Sequence, residues 1–181
     1  MAAIASDIVA TWTVSLPDGQ HVIKFEHGTT TGKRVIWINN QEILRKNWMF
    51  KLVGKIDFQV SSAKAVITID AISGFAYEYT LFINGKPLQK FKENRKKTAK
   101  VWTLLVDGID TRVVLEKDTM DVWVNGVVLE TAGEFVEYGT ETHFEINNHP
   151  CYISAVSSGK QREGIIHTLF FERNMIPENG E

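Results

Sequence analysis

The chain has 181 residues, of which 44% are hydrophobic and 23% charged, and a formal net charge of -2. Such a composition belongs to a folded globular protein and argues against disorder, and a charge this close to neutral leaves no whole-protein field to recruit nucleic acid or an anionic membrane at long range. The single cysteine, Cys151, cannot form an internal disulfide, which points to a reducing compartment.

The start, Met1-Ala-Ala-Ile-Ala-Ser-Asp7, has no basic region, and Ser6 and Asp7 interrupt any apolar run, so it does not read as a signal peptide. From Thr11 onward apolar and polar residues alternate in short runs rich in Val, Ile, Thr, Trp and Phe, which predicts half-buried strands. Trp12, Val14 and Leu16 fall on one face and Thr11, Thr13 and Ser15 on the other; Ile23 and Phe25 oppose Lys24 and Glu26. The pattern continues through Val66 to Ile72, where Ile72-Ser73-Gly74-Phe75 reads as a strand with a bend whose Phe fills the core, and through Tyr77 to Ile83. Segment 86 to 99 is the best helical candidate; its part 89–99 is polar and basic and reads as a solvated linker. Alternation resumes in Val101 to Val106, Val113 to Glu116, Val122 to Val124, His143 to Ile146, Tyr152 to Val156 and Ile165 to Phe171. Asp18-Gly19, Asn39-Asn40, Asn84-Gly85, Asp107-Gly108 and Asn125-Gly126 separate the runs and favour tight hairpin turns. No segment approaches the roughly 18 apolar residues that span a bilayer, and Pro177-Glu-Asn-Gly-Glu181 carries no prenylation or retention motif. The expected location is the cytoplasm, without membrane insertion.

Features of the first half recur in order in the second. Trp12-Thr-Val-Ser-Leu-Pro-Asp-Gly19 is echoed by Trp102-Thr-Leu-Leu-Val-Asp-Gly108, Ile36-Trp-Ile-Asn39 by Val122-Trp-Val-Asn125, Phe50 and Gly54 by Phe135 and Gly139, and Tyr79-Thr-Leu-Phe82 by His167-Thr-Leu-Phe170. The first half carries the longer connection His27-Gly-Thr-Thr-Thr-Gly-Lys33. Collinear order predicts an internal duplication: an all-β protein of two tandem antiparallel β-sandwich domains, each of eight strands or a close variant. The expected bounds are 1–88, a linker 89–99, and 100–181. Trp12, Trp37, Trp102 and Trp123 hold matched positions and are expected in the cores. Trp48 has no counterpart and is also expected to be core.

Chemistry is sparse. Lys90, Lys92, Arg95, Lys96, Lys97 and Lys100 have only Phe91 among them, and no aromatic interleaving of the kind that reads nucleic acid. The five histidines are scattered; His149-Pro150-Cys151 is the one close pair of soft ligands, with His143 able to approach from a neighbouring strand, but no CxxC, HExxH or HxH accompanies it. No G-x-S-x-G elbow is present, and the Gly-Lys pairs at 32, 54, 85 and 159 lack the spacing of a phosphate-binding loop. Local spacing thus predicts no catalytic residue, no cofactor and no metal.

Longer strings carry a resemblance. Lys24-Phe-Glu-His-Gly-Thr-Thr30, Trp48-Met-Phe-Lys-Leu-Val-Gly-Lys55, Ile69-Asp-Ala-Ile-Ser-Gly-Phe-Ala-Tyr-Glu-Tyr-Thr-Leu81, Glu130-Thr-Ala-Gly-Glu-Phe-Val136, Gly139-Thr-Glu-Thr-His-Phe144, and Ala155-Val-Ser-Ser-Gly-Lys160 with Glu163-Gly-Ile-Ile-His-Thr-Leu169 resemble the Fas apoptotic inhibitory molecule family. Departures fall at the N-terminus, around Arg95 to Ala99 and in the last dozen residues. The resemblance implies tandem β-sandwich domains, a cytoplasmic non-enzyme without a cofactor, and antagonism of Fas-type death-receptor apoptosis through protein partners. It also implies a second role, limiting the accumulation of misfolded protein clients. It brings no active site, and neither it nor the residues fix the oligomeric state.

Overall fold

The computed structural model describes residues 7–74, 76–179 and 181. Phe75, and the stretch 1–6 in which no signal peptide was read, lie outside the described residues. The architecture is all-β, built from four antiparallel sheets, with one short helix among the described residues. In each sheet spatial order follows chain order, because tight turns, with longer connections at 28–33 and 158–164, return each strand beside its predecessor. The chain divides into two compact units, one holding the first strand and Gln20–Arg95, the other holding Pro17–Gly19 and Lys96–Glu181.

The first unit has one sheet of β1 (Ile8–Leu16), β2 (Gly19–His27), β3 (Arg34–Ile38) and β4 (Gln41–Lys46), and another of β5 (Gly54–Val60), β6 (Ala63–Ser73), β7 (Ala76–Ile83) and β8 (Lys86–Pro87). Alternation sends Val14, Leu16, Ile23, Phe25 and Ile36 of the first sheet into one core with Ile56, Val60, Ile67, Ile69, Leu81 and Ile83 of the second. Two inner faces sharing one apolar core make a sandwich. Helix α1 (Leu88–Thr98) follows Pro87, a residue suited to a helix start, and has Lys96 and Lys97 in its last turn, where cations face the negative end of the dipole. Its Phe91 is buried against the first core while its lysines stay in water.

The second unit repeats this order, with β9 (Ala99–Val106), β10 (Ile109–Glu116), β11 (Asp121–Val124) and β12 (Val127–Leu129) in one sheet and β13 (Ala132–Val136), β14 (Gly139–Ile146), β15 (His149–Ser157), β16 (Ile165–Phe171) and β17 (Asn174–Ile176) in the other. Trp102, Val106, Val113, Leu115 and Val122 meet Phe144, Ile146, Cys151, Ile153 and Leu169 in its core. The open edge of β9 is covered by the C-terminal segment: Glu178 bridges to Trp102, the Asn179 amide donates to the Val101 carbonyl at 2.8 Å, and Lys100 pairs with Glu178 at 2.8 Å. The last residues are therefore held by the sheet they cover.

Three tryptophans depart from expectation. Trp123 alternates with Val122 and Val124, which face the core, so its side chain lies on the opposite face, half-buried. Trp37 stands in the same relation to Ile36 and Ile38. Trp48 is 66% exposed. Trp102 is fully buried, and Trp12 packs on the first core from its margin. Among the described residues, no helix is long and apolar enough to cross a membrane.

Candidate interaction loop and the polar clusters

Among the described residues, the connection 47–53 between β4 and β5 carries the most exposed aromatic side chains of the first unit, Trp48 at 66% and Phe50 at 86%, with ring centroids 6.4 Å apart. Its backbone is fastened from below. The Met49 amide donates to the Thr31 carbonyl at 2.9 Å, and Arg34 donates from Nη2 to the carbonyls of Lys51 at 3.1 Å and Val53 at 2.9 Å. Arg34 itself is only 3% exposed, and burial holds its guanidinium below the usual arginine range.

Two glycines let the supporting loop come this close. Gly32 adopts a φ of +69°, and a Cβ there would collide with the Met49 carbonyl oxygen. The Gly28 amide donates to the Lys33 carbonyl at 2.9 Å and its own carbonyl accepts from the Gly32 amide at 2.8 Å, folding the long 28–33 connection into a compact ledge. Beneath it His27 is buried; its Nδ1 hydrogen-bonds the Tyr79 hydroxyl at 2.7 Å, and its ring meets Tyr77 edge-on at 5.1 Å. Burial pushes the His27 pKa down, the Arg34 charge adds to the fall, and a backbone hydrogen bond to the Leu52 carbonyl works the other way. The imidazole is therefore neutral at pH 7 beside the fixed guanidinium. Aromatic side chains held in water by a rigid backbone are pre-organised to enter a partner's pocket, because little entropy remains to be lost on binding.

In the second unit Phe135 is 92% and Tyr138 77% exposed, both on the β13–β14 hairpin. Phe50 and Phe135 each stand four residues ahead of the glycine that opens the next long strand, Gly54 and Gly139.

The sequence-derived ligand candidates are not brought together. Cys151 is buried, its pKa pushed up to about 11 mainly by burial, and its thiol donates to the His149 carbonyl at 3.4 Å. It is a thiol, not a thiolate, at neutral pH. His149 instead spans two carboxylates, Nδ1 to Glu172 at 2.5 Å and Nε2 to Asp107 at 2.9 Å, and those bonds raise its pKa. His143 lies on neither: its Nε2 is 2.9 Å from Glu141 and 3.5 Å from Glu134. The two glutamates escaped the sequence reading because they are seven positions apart, and only the hairpin register Glu134↔Glu141 places them opposite each other. The chain spacing of β14, where Glu141 and His143 share a face, was the one available signal.

The pattern of the family described as Fas apoptotic inhibitory molecule (FAIM1) matches residues 8–179. Proteins named Fas apoptotic inhibitory molecule 1 are similar along almost all of the chain. The one from Mus musculus is 64% identical over 175 residues, 96% of this chain and 98% of its own length. That from Homo sapiens is 64% identical with the same coverage, and that from Bos taurus is 63% identical, covering 96% of this chain and 87% of its own length.

Proposed function

Because the chain belongs to the Fas apoptotic inhibitory molecule family, we propose that it is a non-enzymatic, cytoplasmic antagonist of Fas-triggered apoptosis that acts by binding protein partners. The observation that carries the mechanism is the Trp48–Phe50 loop: two large aromatic side chains stand in water on a backbone locked by Arg34 and Thr31. Tryptophan and other aromatic anchors supply most of the energy of typical protein interfaces, and a pair exposed at this level on the chain's surface has no folding role to explain it. The test is the double variant Trp48→Ala/Phe50→Ala. Its thermal melt should match the parent, since neither side chain is part of the core, while protection of cells challenged through Fas should be lost. Full protection by a well-folded double variant would exclude the loop as the binding element.

A holdase role is the second reading, and it is favoured by the exposed apolar side chains of the other unit, Phe135, Tyr138, Ile165 and Ile166. A holdase should suppress aggregation of unrelated clients in vitro, and its activity should survive loss of Trp48 and Phe50 because no single patch defines recognition. A signalling binder should do neither.

A further inference from the structure

The outer face of the β13–β14 hairpin carries a constellation that neither of those readings uses. Glu134 on the edge strand stands directly opposite Glu141, and His143, two positions along the same face of β14, points Nε2 at both carboxylates. One ligand atom from each of the three lies within 4.8 Å of the other two. Like charges directly opposed on neighbouring strands repel, so this pair calls for a cation between them. A four-coordinate ion with bonds of about 2.0–2.2 Å places its ligand atoms roughly 3.3–3.6 Å apart. The 3.5 Å contact of His143 falls within that spacing and the 2.9 Å contact falls short of it, so side-chain rotation has to open the closer pair to admit the ion. The imidazole is steadied by Tyr152, whose ring centroid is 5.3 Å away, and Tyr152 in turn stacks on Phe170 at 4.8 Å.

We propose that Glu134, Glu141 and His143 form a divalent transition-metal site on the outer face of the five-stranded sheet. Two carboxylate oxygens and one imidazole nitrogen select zinc-like ions over magnesium or calcium, which prefer all-oxygen ligands. Three protein ligands leave further positions open to water or to a partner's side chain. An ion bound there fastens the edge strand β13 to β14, on the hairpin that exposes Phe135 and Tyr138. His143 ligates through Nε2 when the imidazole is neutral, with its proton on Nδ1.

The experiment is a calorimetric titration of the full chain, purified without a histidine tag, with zinc chloride in a non-coordinating buffer, accompanied by thermal melts. The expected result is saturable uptake of one ion per chain and a higher Tm with zinc, with no comparable effect of magnesium. Glu134→Gln and His143→Gln should each weaken uptake at least tenfold while melting like the parent without metal; Glu134 is exposed and His143 half-exposed, so both substitutions leave the core intact. His149→Gln, which alters the other histidine–carboxylate cluster, should leave uptake unchanged. Absence of saturable zinc uptake, uptake that survives in Glu134→Gln and His143→Gln, or uptake lost only in His149→Gln would overturn the site.

Discussion

Histidines with opposite environments give the protein opposite responses to pH. His27 is buried and its pKa is lowered from the ordinary 6.5, first by burial. His167 is lowered as well, by burial and then by Lys117 and Lys100. As pH falls below about 6.5, the unfolded chain takes up protons that the folded chain refuses, so stability falls toward acid. His149 is raised by its bonds to Glu172 and Asp107. Its contribution is fully present below the unfolded value and is lost as pH rises from 6.5 through the folded value. Thermal melts at pH 5.5, 6.5 and 8 should therefore show a shallower acid limb in His27→Gln and a shallower alkaline limb in His149→Gln. Equal slopes in parent and variants would show that these histidines are not what couples folding to pH.

Among elements, the turns show how side-chain chemistry sets strand register. Asn39, Asn84 and Asn125 all have positive φ, 51°, 49° and 47°, a region asparagine enters at less cost than other non-glycine residues. Each also adds one rung to the ladder between the strand it ends and the strand before it: its Oδ1 accepts from the amides of Val22, Lys64 and Arg112, at 2.9, 3.0 and 2.8 Å, while its own amide donates to the carbonyl of that same residue. Asn39 and Asn125 occupy matched places in the two units, ending β3 and β11, and this shared device supports the proposed duplication. Asn125→Ala forces alanine into positive φ and leaves the Arg112 amide without its acceptor. The expected cost is roughly 1–3 kcal/mol, read as a lower denaturant midpoint with unchanged slope; a loss below about 0.3 kcal/mol would mean that the hydrogen bond is replaced by water without penalty. Glu172 and Arg173 adopt the same positive pair, 46° and 72°, without any such residue preference.

At the scale of the whole molecule, two separate cores mean that damage to one need not reach the other. Trp102 is the largest fully buried side chain, and it sits in the second core. Trp102→Ala should cost about 3–5 kcal/mol, a large part of the stability of a domain this small. Two-dimensional NMR should show the second-unit signals collapsing while those of Val14, Phe25 and Ile67 in the first core keep their native shifts. Trp123→Ala, outside the second core and half-buried, should be milder. Loss of native shifts throughout the chain in Trp102→Ala would show that the units fold as one cooperative body.

The strand alternation and the Asn-Gly and Asp-Gly turns sufficed for the all-β class, because period-two burial and positive-φ turns are local properties of the chain. Family membership was legible for a different reason: long strings such as Trp48 to Lys55 and Glu163 to Leu169 carry the resemblance, and the family's pattern matches residues 8–179. Alternation could show that Trp123 and Val122 face opposite ways but not which of the two faces would be covered, since that depends on the sheet packed against them. Likewise the sequence points Trp48 to the core because large apolar side chains usually lie there, whereas the loop that carries it is fixed by Arg34 of β3 and Thr31 of the 28–33 connection, partners that only the tertiary structure supplies. Nor could the chain reveal Glu134 beside Glu141 and His143, because a cross-strand cluster exists only once hairpin register brings separated residues within bonding distance.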